Sequence, residues 1–204
     1  MDYRTINLDE MDRVEAYKLF TTAIVPRPIG WISSMSAEGV LNAAPFSWFN
    51  AVCADPPMVM ASIAQRRGAF KDTLNNIRDT GEFVVNVATE ANAAKLVQSS
   101  AEYPPEVSEF EAVGLTPVPS QLVKPARIGE SPIQFECKSE QIITLGNSAT
   151  SLVIGRCLLM HAHEEVIAED GMIDAVRLRP LARLGRDEYA VIGDLIEYAR
   201  PTVK

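Results

Sequence analysis

With 204 residues, 47% hydrophobic and 23% charged, the chain is long enough to bury a sizeable core, and a barrel with added helices fits one domain of that length. Nineteen Lys and Arg against 27 Asp and Glu leave a formal net charge of -8, which excludes the broad basic surface that a nucleic-acid backbone needs. No window approaches the ~18 uninterrupted apolar residues of a membrane span, and the first ten residues mix acidic and polar types rather than forming a signal segment. The expectations are therefore one domain over residues 1–204, a cytoplasmic address, and neither nucleic acid nor membrane as partner.

Val14, Tyr17 and Phe20 recur at helical spacing, and that helix must stop before Pro26-Arg27-Pro28. Gly30 to Ser36 reads as a strand, Ala37-Glu38-Gly39 as a tight turn and Val40 to Ala44 as the returning strand. Asp55-Pro56-Pro57 breaks the chain before an apolar strand from Met58 to Ile63. A helix is predicted over Lys71 to Asp79, with Asp72 or Thr73 as cap and Gly81 as stop. The strand Glu82 to Ala88 follows, then a helix from Glu90 to Ser100, then irregular structure at Tyr103-Pro104-Pro105 and Thr116 to Pro125. Ile133, Phe135 and Cys137 alternate with polar residues, and Thr150 to Val166 reads as a long strand. Strands outnumber helices and are mostly joined by turns, so a mainly β, antiparallel barrel with flanking helices is favoured over a parallel doubly wound sheet.

Dinucleotide, P-loop, zinc-protease and serine-hydrolase signatures are all absent. Cys53, Cys137 and Cys157 are odd in number and form no CxxC pair, so they read as buried thiols rather than disulfides or zinc ligands. His161 and His163 would share one face of a strand, too few for a metal site on their own, and no metal is expected. The informative region is Pro26 to Thr73, where hydroxyls, Arg27, Arg67 and Lys71 recur at strand ends beside apolar walls. That lining suits a flat, amphipathic ligand with an anionic tail, its phosphate held by the cations, by Ser33 and Ser62, and by N–H groups at the helix start. On residues alone, Asn42, Ser47 and Asn50 read as turn and cap residues before ligand contacts, and Phe46, Trp48 and Phe49 as core before cofactor wall.

The order Arg27-Pro-Ile-Gly-Trp-Ile-Ser33, then Asn42-Ala-Ala-Pro-Phe-Ser47, Asp55-Pro-Pro, Lys71-Asp-Thr, Glu82-Phe-Val-Val-Asn86 and a late Arg183-Leu-Gly with Tyr189 resembles the flavin reductase-like FMN-binding split-barrel family, from about Val14 to Pro201. The resemblance implies a six-stranded antiparallel split barrel, a homodimer, and FMN held near the dimer interface. It implies that Asn42, Ala44, Pro45, Phe46 and Ser47 flank the ring system, with backbone N–H groups bonding it, and that Ser62 and Ile63 extend that wall. Ser33, Arg27, Arg67, Lys71 and Thr73 would supply phosphate and ribityl contacts, with Arg183 and Tyr189 close by. The protein would then need no catalytic side chain of its own, since the cofactor carries the chemistry; His161 or His163, on the long strand from Thr150 to Val166, is the candidate beside the nicotinamide approach. Three activities remain open: an NAD(P)H-dependent flavin reductase serving a monooxygenase component, with NADH or NADPH as co-substrate; a flavoredoxin-type carrier fed by an iron–sulfur donor; and an FMN-binding protein without turnover.

Overall fold

The structure, a computed structural model, describes residues 1–147 and 150–202. Helix α1 (Arg13–Ala23) opens on Asp12, whose carboxylate accepts from the N–H of Val14 at 2.8 Å. Its far end is closed by Arg27, in the two-residue strand β1 (Arg27–Pro28). That guanidinium donates to the carbonyls of Thr21, of Ile24 at 2.7 Å and of Leu184 at 2.8 Å.

Strands β2 (Gly30–Met35), β3 (Leu41–Phe46), β4 (Phe49–Ala54) and β5 (Pro57–Ile63) lead to helix α2 (Asp72–Thr80) and strand β6 (Glu82–Val87). Short helices α3 (Ala93–Gln98) and α4 (Glu109–Val113) and the strand pair β7 (Pro117–Val118) and β8 (Arg127–Ile128) cover one flank. Two long strands, β9 (Ile133–Leu145) and β10 (Thr150–Ala162), precede α5 (Ala175–Leu178), β11 (Leu181–Arg183) and β12 (Tyr189–Val191). The main sheet runs β3-β2-β6-β9-β10-β5-β4 with antiparallel pairing throughout, and β1, β11 and β12 form a small second sheet.

The two edges of the main sheet, β3 and β4, are joined only by Ser47 and Trp48, so the sheet has to curl until its edges meet. The N–H of Ser62 on β5 donates to the carbonyl of Trp48 at 2.8 Å and holds that seam. The result is the expected split barrel, with seven strands in its sheet rather than six. Ile32, Phe46, Ile63, Phe83 and Val153 fill the interior, and Leu74 and Ile77 of α2 plug one end. Trp31, one residue from Ile32, points outward into a second cluster with Leu96, Phe110 and Ile128. Both faces of β2 are therefore buried. Gly155 on β10 is required because a Cβ there would collide with the Phe83 ring.

Several expectations shift. The predicted strand ending at Ala44 continues to Phe46, and Pro45 is tolerated because β3 is an edge strand. Strand β4 and helix α4 went unread; β4 is exposed along most of its length and shows no apolar alternation. The predicted helix from Glu90 to Ser100 divides into a 3-10 turn and α3, and α2 starts after Lys71, so Asp72 sits in its first turn rather than at the cap. Strand β10 ends at Ala162, so His161 and His163 do not share a strand face. Of the three thiols, Cys53 is exposed.

Candidate functional site

Along the outer side of β3 runs a groove made of two adjoining cavities. The first, of about 340 Å³, lies between residues 42–45, the start of α2 and the turn after α3 from Ser99 to Tyr103. The second, of about 440 Å³, shares Pro45 and Ser100 with it and continues past Ser47 to Arg183 and Tyr189. A smaller apolar pocket of about 250 Å³ opens beside Ser47 and Ser62, under Trp48, whose indole stacks on Phe20 at 5.7 Å between centroids.

The first cavity carries Lys71 and Arg66 together with Asp72, Glu102 and Glu109. Lys71 is half-buried there, its Nζ 5.2 Å from the centre of the Phe46 ring, and among the described residues it has no carboxylate partner. Burial, and secondarily the charge of Arg66, push its pKa below the ordinary lysine value. The first N–H groups of α2 have no partner within the helix and add positive potential at the same place. Arg66 also lines this end, its Nε 3.3 Å from Glu102. A lysine that is destabilised by desolvation and lacks a counter-ion is matched by an incoming anion.

The floor is a closed polar network. Asn42 donates to both oxygens of Glu109 at 3.0 and 2.9 Å and accepts from the Thr73 hydroxyl at 2.8 Å. Glu109 also accepts from the N–H of Ala43 at 3.0 Å. Burial raises the Glu109 pKa, the bonds from Ala43 and Asn42 working against that rise. Since the N–H of Ala43 faces away from β2, strand alternation turns the Pro45 carbonyl the same way. Proline has no N–H, so this stretch of β3 offers a ligand an acceptor at Pro45 rather than the expected row of donors.

Ala44, Pro45, Lys71, Asn42 and Thr73 are thus brought together at the first cavity, and Pro45, Ser47, Arg183 and Tyr189 at the second. Ser62 stands by the seam pocket with Ser47. Arg183 lies over the Tyr189 ring, 4.5 Å from its centre. Others fall away from the groove. Ser33 is fully buried, its hydroxyl donating to the Ala126 carbonyl at 2.6 Å, and Ile63 is sealed in the barrel core. Phe46 turns its ring into that core and reaches the groove only through Lys71. Arg27 is committed to three carbonyls and lines other cavities, while Arg67 is exposed and pairs with Glu102 at 3.4 Å. His161 is bound to buried Glu136 at 2.7 Å and lines neither part of the groove. Asn50 accepts locally from the N–H of Ala51.

Glu109 and the Ser99–Tyr103 turn line the groove without having been singled out; the only hint was the breaker run Tyr103-Pro104-Pro105, which says loop but not where the loop lies. The donor set fits a phosphorylated flavin: cation and helix start for the phosphate, and an apolar edge strand with a free carbonyl for a planar ring.

Residues 22–181 match the model of the family described as the flavin reductase like domain. Among solved structures, the chain is similar to nitrilotriacetate monooxygenase component B from Bacillus cereus (37% identity, 97% of this chain and 100% of that one, TM-score 0.94). It is also similar to a 2-nitrobenzoate 2-nitroreductase of Pseudomonas fluorescens (34% identity, 98% and 97% covered, TM-score 0.89). A Shewanella frigidimarina protein with a split barrel domain shares the fold (23% identity, 98% and 100% covered, TM-score 0.86).

Proposed function

From the premise that this chain belongs to the flavin reductase-like family, we propose that it is a flavin-dependent oxidoreductase that binds FMN along β3 and oxidises NAD(P)H. The observation that carries this reading is the polarity of the groove, with a half-buried Lys71 that has no carboxylate partner among the described residues at a helix start at one end and the Pro45–Ser47 edge at the other. Lys71, Arg66 and the first N–H groups of α2 hold the phosphate. Ala44, Pro45 and Ser47 orient the ring system, and Arg183 stacked on Tyr189 closes the far side. When bound, the flavin supplies a hydride acceptor that the protein's own side chains lack. What remains for the protein is to align two planar groups and exclude water between them.

The Bacillus cereus relative is by its name one component of a monooxygenase, which favours delivery of reduced flavin to a separate oxygenase. The Pseudomonas fluorescens relative is by its name a nitroreductase, and the apolar pocket under Trp48 offers this chain room for direct reduction of an aromatic substrate. Exposed Ile24, Val25, Trp48 and Val52 beside the edge strand β4 support a homodimer.

Fluorescence titration with FMN, followed by NADH and NADPH oxidation assays against a protein-free control, tests the reading. Bound flavin with turnover supports it. Protein that neither takes up FMN nor oxidises either nucleotide in its presence overturns it. Oxidation that continues only while free FMN is supplied selects the flavin-delivering role, and oxidation coupled to a nitroaromatic selects the direct one.

A further inference from the structure

Between α1 and the turn that follows β11 lies a cavity of about 670 Å³ which the groove does not use. Among the described residues its charged lining is Lys18, Arg27, Arg183 and Arg186, with no carboxylate, in a chain whose net charge is -8. Asp187, outside the lining, has its Oδ1 3.8 Å from Arg183. Backbone carbonyls accept from both Nη atoms of Arg27 without neutralising its charge, and that residue is only 8% exposed. Its Nε is buried with no partner among the described residues, a donor that the fold leaves unmet.

The cup is built by close contact. Gly185 lets the turn lie directly on α1, because a Cβ there would collide with Cγ2 of Thr22. The turn also sets Arg186 in a left-handed conformation at φ 54°, and its carbonyl accepts from Arg183. Ser47 lines both this cup and the groove, so the cup opens beside the place where the ring system would lie. A ligand reaching from the ring face into the cup would place its most negative group among four cations.

We propose that this cup seats the 2′-phosphate of a nicotinamide dinucleotide, so that the site takes NADPH in preference to NADH; the proposal rests on the reading that a nicotinamide reduces flavin here. A phosphate monoester adds ~1.5–2 negative charges at neutral pH and three acceptor oxygens, which a diphosphate bridge alone does not bring. Arg186 and Lys18 are the groups free to close on it, Arg27 and Arg183 being fixed by their carbonyl and ring partners.

Calorimetric titration of the protein, alone and with FMN, with 2′,5′-ADP and with 5′-AMP, which lacks only the 2′-phosphate, tests the cup without relying on turnover. The expected result is binding of 2′,5′-ADP at least about tenfold tighter, the scale of one charge-assisted contact. Lys18→Glu and Arg186→Glu should each abolish that preference and raise the KM for NADPH more than that for NADH, with FMN affinity unchanged. Equal affinity for the two adenosine phosphates overturns the proposal. So does displacement of 2′,5′-ADP by FMN, or loss of FMN affinity in the two variants, since the cup would then belong to the flavin phosphate. Preference for 2′,5′-ADP in a protein that binds no FMN would sustain the cup and refute the function proposed above.

Discussion

Two polar regions of this barrel lie one beneath the other and behave in opposite ways. Beneath the groove, Ser33, Ser34, Asn42, Thr73, Asn76, Asn86 and Glu109 are all buried and bonded to one another or to backbone; Asn86, for example, donates to the Trp31 carbonyl at 2.9 Å and accepts from the N–H of Ile128 at 2.9 Å. At the rim, Lys71 has no counter-ion among the described residues, and Arg66 and Arg67 share a single carboxylate at 3.3 and 3.4 Å. The first region stabilises the fold because its groups lack nothing. The second is suited to a ligand because its groups still lack something. Hydrogen-bond saturation, rather than polarity, separates scaffold from site.

Removing a member of the saturated region should produce the largest effect. Glu109→Ala strips acceptors from both Asn42 and Ala43, and is expected to cost about 3 kcal/mol in urea denaturation. If stability is unchanged, the network is not holding the floor. Next comes Lys71→Ala, which should weaken FMN binding by about 2 kcal/mol, roughly thirtyfold, while leaving the unfolding midpoint nearly where it was. A full loss of stability without a specific loss of flavin affinity would move Lys71 into the scaffold class.

The third expectation is a pH dependence. Burial raises the pKa of Glu136, but N–H bonds from Gln121 and Leu122 at 2.7 and 2.6 Å, together with His161, outweigh it and leave the value below the usual 4.5. A depressed carboxylate pKa contributes stability that is present above pH 4.5 and is lost as pH falls through the folded value. Glu136→Gln should therefore flatten the acid limb of the stability curve below about pH 4.5, read by circular dichroism at graded pH. Smallest of all, Arg67→Ala should change FMN affinity by less than about 0.5 kcal/mol, because that side chain is 83% exposed and its one pairing is solvent-screened. A loss as large as that for Lys71 would show that Arg67 swings onto the ligand.

Much of the fold could be read from the chain because its punctuation is local. Pro26 and Pro28 end α1, Gly39 supplies the left-handed turn residue before β3 at φ 91°, and Gly81 stops α2 at φ 72°. Strand β4 escaped because an exposed edge carries no alternation, and α4 because its five residues follow a run of prolines. The site was legible as a neighbourhood. Lys71, Pro45 and Ser47 carry their positions in the order of their motifs, but spacing along a strand does not reveal which hydroxyl is already bonded. Ser33 and Ser47 look alike in sequence; only the Ala126 carbonyl facing one of them tells them apart. Lys18 and Arg186 were invisible for a different reason. They are distant in sequence and meet only because Gly185 permits a turn to rest on a helix.

The two-residue seam at Ser47 and Trp48 has a consequence for how such a protein can diversify. Lengthening it would pry open the cylinder, so this stretch, which also borders the groove, is the part least free to vary. New specificities must then be acquired from outside the staves, through α1, the turn after α3 and the C-terminal turn, each of which can change length without disturbing a single pair of the ladder.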